Sequence, residues 1–202
     1  MMTVEKYKMS FTSTGLLRRE TIQVAGLRLA SRTWEQIQQQ VLEDNCLQLK
    51  AMSSRKRVFA EIKSRLEFLT EKELQILCAG YREDVDVILW LALCRRYRFI
   101  GDFAREVLHE KYLSRELQMK SADYNIFWES KSIQHPELST LTAATCARLR
   151  QMLFHFMRGC NLLDEKNMIQ PLNLSAGNQD LFTRENLNET AFFPLDSWRV
   201  TR

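Results

Sequence analysis

Glycine and proline are scarce in this sequence, which has six glycines and three prolines among its 202 residues. Sandwiches, barrels and Rossmann-type folds use these two residues at their turns, so the scarcity disfavours such folds and favours helices. The chain is long enough to bury one good-sized core and to carry a small appended unit. We therefore predict an all-α protein built as a helical bundle.

A long hydrophobic run is also missing. The run Val87–Cys94 stops at Arg95 after eight residues, whereas a membrane-spanning helix needs about 20 apolar residues. A helix that is apolar on every side is otherwise buried at the centre of a domain. The charged first residues do not form a signal peptide, and the five scattered cysteines lack a CxxC pair, which suits reduced thiols in a cytosolic protein. We expect a cytoplasmic protein with no membrane partner.

Motifs of the common enzyme classes are missing too, because the sequence contains no Walker loop, GxGxxG, GxSxG or HExxH. The histidines His109, His135 and His155 lie far apart, and none has metal-ligand spacing to a cysteine. Paired carboxylates such as Glu83 and Asp84 lie at helix starts, where the helix dipole accounts for them. We expect a protein that is not an enzyme and that uses no cofactor, metal or small-molecule substrate.

Helical periodicity and capping signals predict the elements. In chain order the predicted helices cover residues 14–30, 33–45, 53–69, 70–80, 84–99, 102–112 and 121–134, followed by an amphipathic segment at 149–157. Capping boxes mark the starts at Thr33 and Thr70, and Ser53 or Ser54 is expected to cap the third helix. Gly101 is expected to stop the central helix, and Asp102 to cap the next one.

Basic residues are concentrated in three groups, although the net charge of +4 is only mildly positive. The first group lies after Ser54, the second ends the apolar run, and the third lines the polar face of the last helix. Their members are Arg55, Lys56, Arg57, Lys63 and Arg65; Arg95, Arg96 and Arg98; and Arg148 and Arg158. Lysines and arginines on neighbouring helices suit contacts to nucleic-acid phosphates, which are independent of base sequence and sensitive to salt.

Each group also has an explanation that involves no ligand. Arginines near a helix C-terminus complement its dipole by about 0.3–1 kcal/mol each, which applies to Arg95 and Arg96. Arg57 and Glu61 are spaced for an ion pair worth about 0.2–0.5 kcal/mol. Basic residues opposite an apolar stripe, such as Arg148, are usually a solvated face. Both interpretations stay open at this point.

A set of segments in a fixed order resembles the BrxA family over nearly the whole chain. The segments are Thr14–Leu17, Ser54–Phe59, Arg65–Leu66, Cys94–Ile100, Phe103–Ala104, Val107–Leu108, Lys111–Leu113, His135–Leu138, Leu149–Phe154, Leu162–Asp164 and Phe192–Pro194. Each segment alone is a weak signal, but the ordered set is specific. BrxA proteins are small components of BREX bacteriophage-exclusion systems.

The resemblance implies an all-helical protein with a core like that of the antitermination factor NusB, and it implies DNA binding. NusB-type proteins bind nucleic acid through an arginine-rich helix at the start of the core, which matches Arg55, Lys56 and Arg57. We predict an N-terminal helical unit over residues 1–50, a NusB-like helical core over 51–165, and an irregular C-terminal arm over 166–202 packed on that core.

The function implied is that of a non-enzymatic DNA-binding accessory protein that grips duplex phosphates, with double-stranded DNA and other BREX subunits as its partners. The ten basic residues above are the candidate DNA-binding residues. Two alternatives remain: a protein–protein adaptor whose basic residues dock an acidic defence subunit, and a NusB-like RNA-binding protein. Phosphate contacts alone barely separate RNA from DNA.

Overall fold

The structure, a computed structural model, describes residues 5–172 and 187–195. Within residues 5–172 the chain forms ten α-helices: α1 (Arg18–Leu29), α2 (Trp34–Leu42), α3 (Met52–Leu66), α4 (Glu71–Ala79), α5 (Arg82–Arg96), α6 (Arg98–Phe103), α7 (Glu110–Leu113), α8 (Ser121–Gln134), α9 (Pro136–Ser139) and α10 (Ala143–Gly159). A 3₁₀ turn (Ser10–Thr12) precedes α1, a π-helical turn (Ala104–His109) joins α6 to α7, and a second 3₁₀ helix covers Leu187–Phe192. The all-α prediction is confirmed.

Two helix starts follow the predicted capping chemistry. At α2 the Thr33 side chain accepts the Gln36 backbone N–H, and the Gln36 side chain accepts the Thr33 N–H in return. Thr70 and Glu73 form the same reciprocal pair at α4. Each pair satisfies two of the backbone donors that a helix start leaves without partners, which fixes where the helix begins.

Replacing Thr70 with alanine should lower the free energy of unfolding by about 1 kcal/mol, because the Glu73 backbone N–H loses its side-chain acceptor. Urea unfolding monitored by circular dichroism measures the change. Thr70→Ser keeps the hydroxyl and serves as the control. A loss of the same size in both variants would show that the methyl group, not the cap, is responsible.

Two other helix starts differ from the prediction. The first helix begins at Arg18, after Leu17 in a left-handed conformation with φ 56°. The third begins at Met52, with Ala51 at the N-cap position and no side-chain cap, so neither Ser53 nor Ser54 caps it. Neither start therefore has a side-chain cap.

The apolar run forms the centre of α5, as predicted. Its residues from Val85 to Cys94 are all buried, and Trp90 is 0% exposed. The helix packs against α3, α4, α6 and α10 and against the 3₁₀ helix Leu187–Phe192, so neighbours surround it on every side. No helix among the residues described is both long and apolar enough to cross a membrane.

The end of α5 corrects the sequence prediction. The helix ends at Arg96, and Tyr97 is extended with φ −118° and ψ 92°, so the break does not lie at Gly101. Gly101 is inside α6, where a Cβ atom would lie 3.0 Å from both the Cys94 carbonyl oxygen and the Phe192 ring. Glycine is therefore used for close packing, and Asp102, also within α6, does not cap a helix.

One hydrophobic core runs through the described residues. It includes Phe11 and Ile37 from the first 50 residues, Leu149 from α10, and Phe193 from the C-terminal segment. After a turn in which Asn167 has φ 60°, isolated bridges join Met168 to Gln118 and Ile169 to Leu163. The three-unit division and the likeness of the core to NusB stay predictions, and residues 173–186 and 196–202 of the predicted arm lie outside the described residues.

Candidate nucleic-acid interface

Arg65 lies in the core and not on a surface. It is 2% exposed, and its Nε donates to Glu61 Oε1 at 2.8 Å. The guanidinium also donates to the carbonyl oxygens of Gly15 and Leu16, at 3.2 and 3.0 Å. Each nitrogen of the guanidinium has an internal acceptor and the side chain is buried, so Arg65 presents no accessible donor to a phosphate. Arg65 therefore holds the core together and is not placed to contact DNA. Glu61 is buried and accepts from Arg65 and from the Tyr97 hydroxyl, whereas Arg57 is exposed. The expected ion pair between Arg57 and Glu61 is therefore not formed.

The hydrogen-bond donors of Arg95 are likewise occupied by acceptors within the protein. It donates two hydrogen bonds to Glu73 and two to Glu189, all at 2.8 Å, and one to the Phe68 carbonyl oxygen at 2.9 Å. Burial alone would lower the pKa of Arg95, but the hydrogen bonds from its guanidinium to Glu189 and Glu73 raise it. Two carboxylates exceed its single positive charge, so the sequence prediction of Arg95 as a phosphate contact is not supported by the geometry.

Two more members of the first group have structural partners. Arg55 is half-buried and donates to the carbonyl oxygens of Leu42 and Leu49, at 2.9 and 3.0 Å, which ties α3 to the end of α2. Lys63 lies 5.5 Å from the centre of the Trp34 ring and pairs with Glu67 at 3.8 Å. Both side chains are partly exposed to solvent, but each is held by contacts with the rest of the protein.

Lys56 and Arg57 are the exposed members of that group, and neither forms a hydrogen bond or ion pair with the described part of the chain. They lie on different flanks of α3, because one residue is a rotation of about 100°. Arg57 shares its flank with Ser64, seven residues later, about two turns along the helix.

Ser64 connects the first basic group to the second. The Arg96 Nε at the end of α5 donates to the Ser64 Oγ at 2.9 Å, so Arg96 lies against the α3 flank that also carries Arg57. The Arg96 guanidinium also lies 5.1 Å from the centre of the ring of Tyr97, which is fully buried. The helix-dipole explanation alone does not account for this placement, because the side chain is directed to a neighbouring helix.

A cleft of about 560 Å³ continues this surface. Its cations are Lys6, Lys8, Arg95, Arg96, Arg98 and Arg105, and its carboxylates are Glu5, Asp102 and Glu189. We call the six exposed or half-exposed cations Lys6, Lys8, Arg57, Arg96, Arg98 and Arg105 the α3–α5 basic face.

Asp102 organises the far side of this face. It pairs with Arg98 at 3.5 Å and with Arg105 at 3.7 Å, and its Oδ2 accepts the Tyr7 hydroxyl at 2.7 Å. Arg98 and Arg105 are 50% and 42% exposed. One carboxylate shared by two arginines leaves an excess positive charge directed to solvent.

Sequence reasoning missed Lys6, Lys8 and Arg105 as members of this face. Tyr7 is buried and stacks on His135 with ring centres 3.8 Å apart, and its backbone N–H donates to Glu137 at 2.8 Å. In an extended segment, alternate residues point to the same side, so burying Tyr7 exposes the lysines on both sides of it. The alternation of basic and aromatic residues at Lys6, Tyr7 and Lys8 is the sequence signal that indicates the two exposed lysines.

The third group lies on a different surface. Arg148 is exposed and Arg158 half-buried on α10, and both line a cleft of about 740 Å³ that also includes Arg150 of α10 and Ser121 of α8. This α8–α10 cleft shares no lining residue with the cleft of the α3–α5 basic face. Arg57 of the first predicted group therefore lies on the same surface as Arg96 and Arg98 of the second, and the third group stands apart.

A metal-type centre is not found among the residues that the structure describes, since no three His, Cys, Asp or Glu side chains cluster there. His135 is 3% exposed and its Nδ1 lies 3.0 Å from Glu137. His109 Nδ1 donates to the carbonyl oxygen of Phe193 at 2.7 Å. Both histidines thus have structural partners.

Comparison with known proteins identifies a family and a fold. A family model described as BrxA matches residues 5–186. A relative from Bacillus cereus (strain H3081.97), called BREX protein BrxA, is 24% identical over 157 residues, 78% of this chain and 78% of the relative. Another of that name, from Escherichia coli O9:H4 (strain HS), is 24% identical over 149 residues, 74% of this chain and 70% of the relative.

A solved structure shares the fold. The crystal structure of an uncharacterized protein from Magnetospirillum magneticum superposes with a TM-score of 0.80, covering 94% of this chain and 98% of that chain at 18% identity. At this identity the likeness concerns the arrangement of the helices alone.

Proposed function

Because the chain belongs to the BrxA family of BREX phage-defence systems, we propose that it is a non-enzymatic, DNA-binding accessory protein of such a system. The α3–α5 basic face grips the phosphates of duplex DNA. Other BREX subunits are its further partners.

The observation that carries this proposal is the hydrogen bond from Arg96 to Ser64. It places the end of α5 beside the α3 flank that carries Arg57, so cations separated by about 40 positions in sequence form one surface. A connected surface can contact several phosphates of one duplex at once, and each neutralised phosphate adds to affinity by releasing counterions.

The chemistry of the face suits the sugar–phosphate backbone more than the bases. Its donors are lysine and arginine side chains, which bind phosphate oxygens without reading sequence. Arg98 and Arg105 are oriented by Asp102, while Lys6 and Lys8 are exposed on either side of the buried Tyr7. We therefore expect affinity with little preference for base sequence and a steep dependence on salt.

Replacing Lys8 and Arg57 together with glutamate should weaken binding to duplex DNA by at least about tenfold at moderate salt. The slope of log affinity against log salt should become shallower by about 1.8, because each lost phosphate contact removes about 0.9. Both side chains are exposed, so the fold is expected to survive. Fluorescence anisotropy of a labelled duplex across a salt series measures both quantities.

The matched control replaces Arg19 and Arg82 with glutamate, which changes the net charge equally at two exposed positions outside both clefts. Equal losses in the two double variants would mean that net charge alone binds DNA and that the face is not a site. An affinity of the unmodified protein that does not change between low and moderate salt would contradict the mechanism. Adding structured RNA as a competitor in the same assay tests the RNA-binding alternative.

The adaptor alternative is favoured by a separate observation on α8. Ile126 and Ile133 are 67% and 84% exposed and, seven residues apart, lie on one face of the helix. Such side chains suit contact with a protein and not with phosphates. Loss of BREX-subunit pulldown in the Lys8 and Arg57 variant, with DNA affinity unchanged, would favour the adaptor over the DNA-binding function.

A further inference from the structure

Among the residues that the structure describes, the lining of the α8–α10 cleft contains no carboxylate, unlike the cleft of the α3–α5 basic face. Arg148, Arg150 and Arg158 supply its charge, and Ser121 and Gln151 supply neutral polar groups. In the cleft of the α3–α5 basic face, three carboxylates offset part of the charge. Of these two clefts, the α8–α10 cleft therefore has the less compensated cationic charge.

Two of its arginines are held in place by neutral groups. Arg150 Nη1 donates to the Asn125 side-chain oxygen at 2.9 Å, and Arg158 Nη1 donates to that of Asn167 at 2.7 Å. An amide oxygen orients a guanidinium without neutralising it, so each arginine keeps its full charge and its remaining donors. Arg95, which is paired with two carboxylates, shows the opposite arrangement.

Arg148 is the third arginine of the α8–α10 cleft. It is exposed and forms no hydrogen bond or ion pair with the residues described. A nearby carboxylate on α8, that of Asp123, accepts the Lys120 backbone N–H at 2.6 Å and lies 3.3 Å from the Lys111 Nζ. It is therefore committed to the start of α8 and to Lys111, and it does not offset the arginines.

The dimensions of the cleft suit an extended anionic polymer. Arg148 and Arg158 are ten positions apart on α10, which corresponds to about 15 Å along a helix. That length spans roughly four base pairs of duplex at about 3.4 Å each. Ala144 and Ala147, on the same side of α10, leave room for a sugar–phosphate backbone to approach the helix.

We infer that the α8–α10 cleft is a second phosphodiester-binding surface, so that one chain holds two separate duplex segments. This inference rests on the proposed function, because it takes the α3–α5 basic face as the first surface. The two clefts share no lining residue, so a duplex bound at the first uses none of the groups of the second. A protein of this kind bridges DNA segments.

Native mass spectrometry with short duplexes of about 12 base pairs, roughly 40 Å long, tests the inference through stoichiometry. The unmodified protein should form a species with one chain and two duplexes. Arg148→Glu should reduce that species at least about tenfold and leave the one-duplex species. The Lys8 and Arg57 double variant should also be limited to one duplex, bound at the α8–α10 cleft. Arg19→Glu is the matched control and should keep both.

The outcomes separate the two proposals. If the unmodified protein binds no duplex at all, the proposed function is wrong. If it saturates at one duplex, the proposed function stands and the second surface does not exist. If Arg148→Glu and the milder Arg148→Gln both keep two duplexes, the cleft is not the second surface and an acidic protein segment becomes its better occupant. Circular dichroism melting confirms that each variant is folded before it is counted.

Discussion

Replacing Arg65 with methionine should destabilise the fold by about 3–5 kcal/mol, because the Glu61 carboxylate would be left buried without its cationic partner. The two side chains are 2% and 9% exposed and lie 2.8 Å apart. Arg65 also holds the carbonyl oxygens of Gly15 and Leu16, which fixes the segment before α1 against α3. Urea unfolding followed by circular dichroism measures the loss.

The control for this prediction changes the partner as well. In the double variant Arg65→Met with Glu61→Gln, the buried charge is gone and the amide oxygen can still accept the Tyr97 hydroxyl, which donates to Glu61 at 2.6 Å. Stability should return to within about 1–2 kcal/mol of the unmodified protein. If the double variant were as unstable as Arg65→Met alone, lost contacts to Gly15 and Leu16 would be the cause, and the unpaired carboxylate would not.

Features encoded by neighbours in the sequence were predictable. The capping boxes at Thr33 and Thr70 depend on residues three positions apart, and both are present in the structure. The central helix was predicted because an apolar run of eight residues is too short for a membrane and too apolar for a surface. Such local signals are independent of how the chain folds back on itself.

The fate of each basic residue was not predictable from its neighbours. Arg65 and Arg95 look like parts of surface patches in the sequence, yet their acceptors lie as far away as Gly15, 50 positions before Arg65, and Glu189, 94 positions after Arg95. A basic side chain is available to a binding surface only if its acceptors leave charge and donors exposed to solvent, as at Arg98 and Arg105. An arginine can donate up to five hydrogen bonds, and its acceptors can lie far away along the chain. Only the tertiary structure therefore shows whether a given arginine is available to a ligand.

Long-range packing also assembled the basic face. The Tyr7 hydroxyl reaches Asp102 across 95 positions, and this contact places Lys6 and Lys8 beside Arg98 and Arg105. The break at Tyr97 was missed for the same reason, since a glycine looks like a helix end until a neighbouring ring is seen to occupy the space beside it. Phe192 is that ring at Gly101.

Replacing Phe193 with alanine should destabilise the protein by about 3–5 kcal/mol, since a ring that is 0% exposed leaves a cavity in a core that cannot fully collapse. The segment around it has several anchors: Trp90 Nε1 donates to the Phe192 carbonyl oxygen at 2.7 Å, and the Leu172 backbone N–H donates to Pro194 at 2.9 Å. The Trp90 contact joins the segment to the central helix. We therefore expect the loss of the Phe193 ring to lower the free energy of global unfolding, and not only to cause local fraying of the segment.

Urea unfolding measures the global effect of the Phe193→Ala substitution, and amide hydrogen exchange shows whether α5 opens together with the C-terminal segment. Asn188→Ala, an exposed change in the same segment, should alter stability by no more than about 0.5 kcal/mol. A Phe193→Ala variant with unchanged global stability and lost protection only near residues 187–195 would show that this segment is an independent attachment. Full coupling would show instead that the C-terminal ring is part of the same cooperative core as α5.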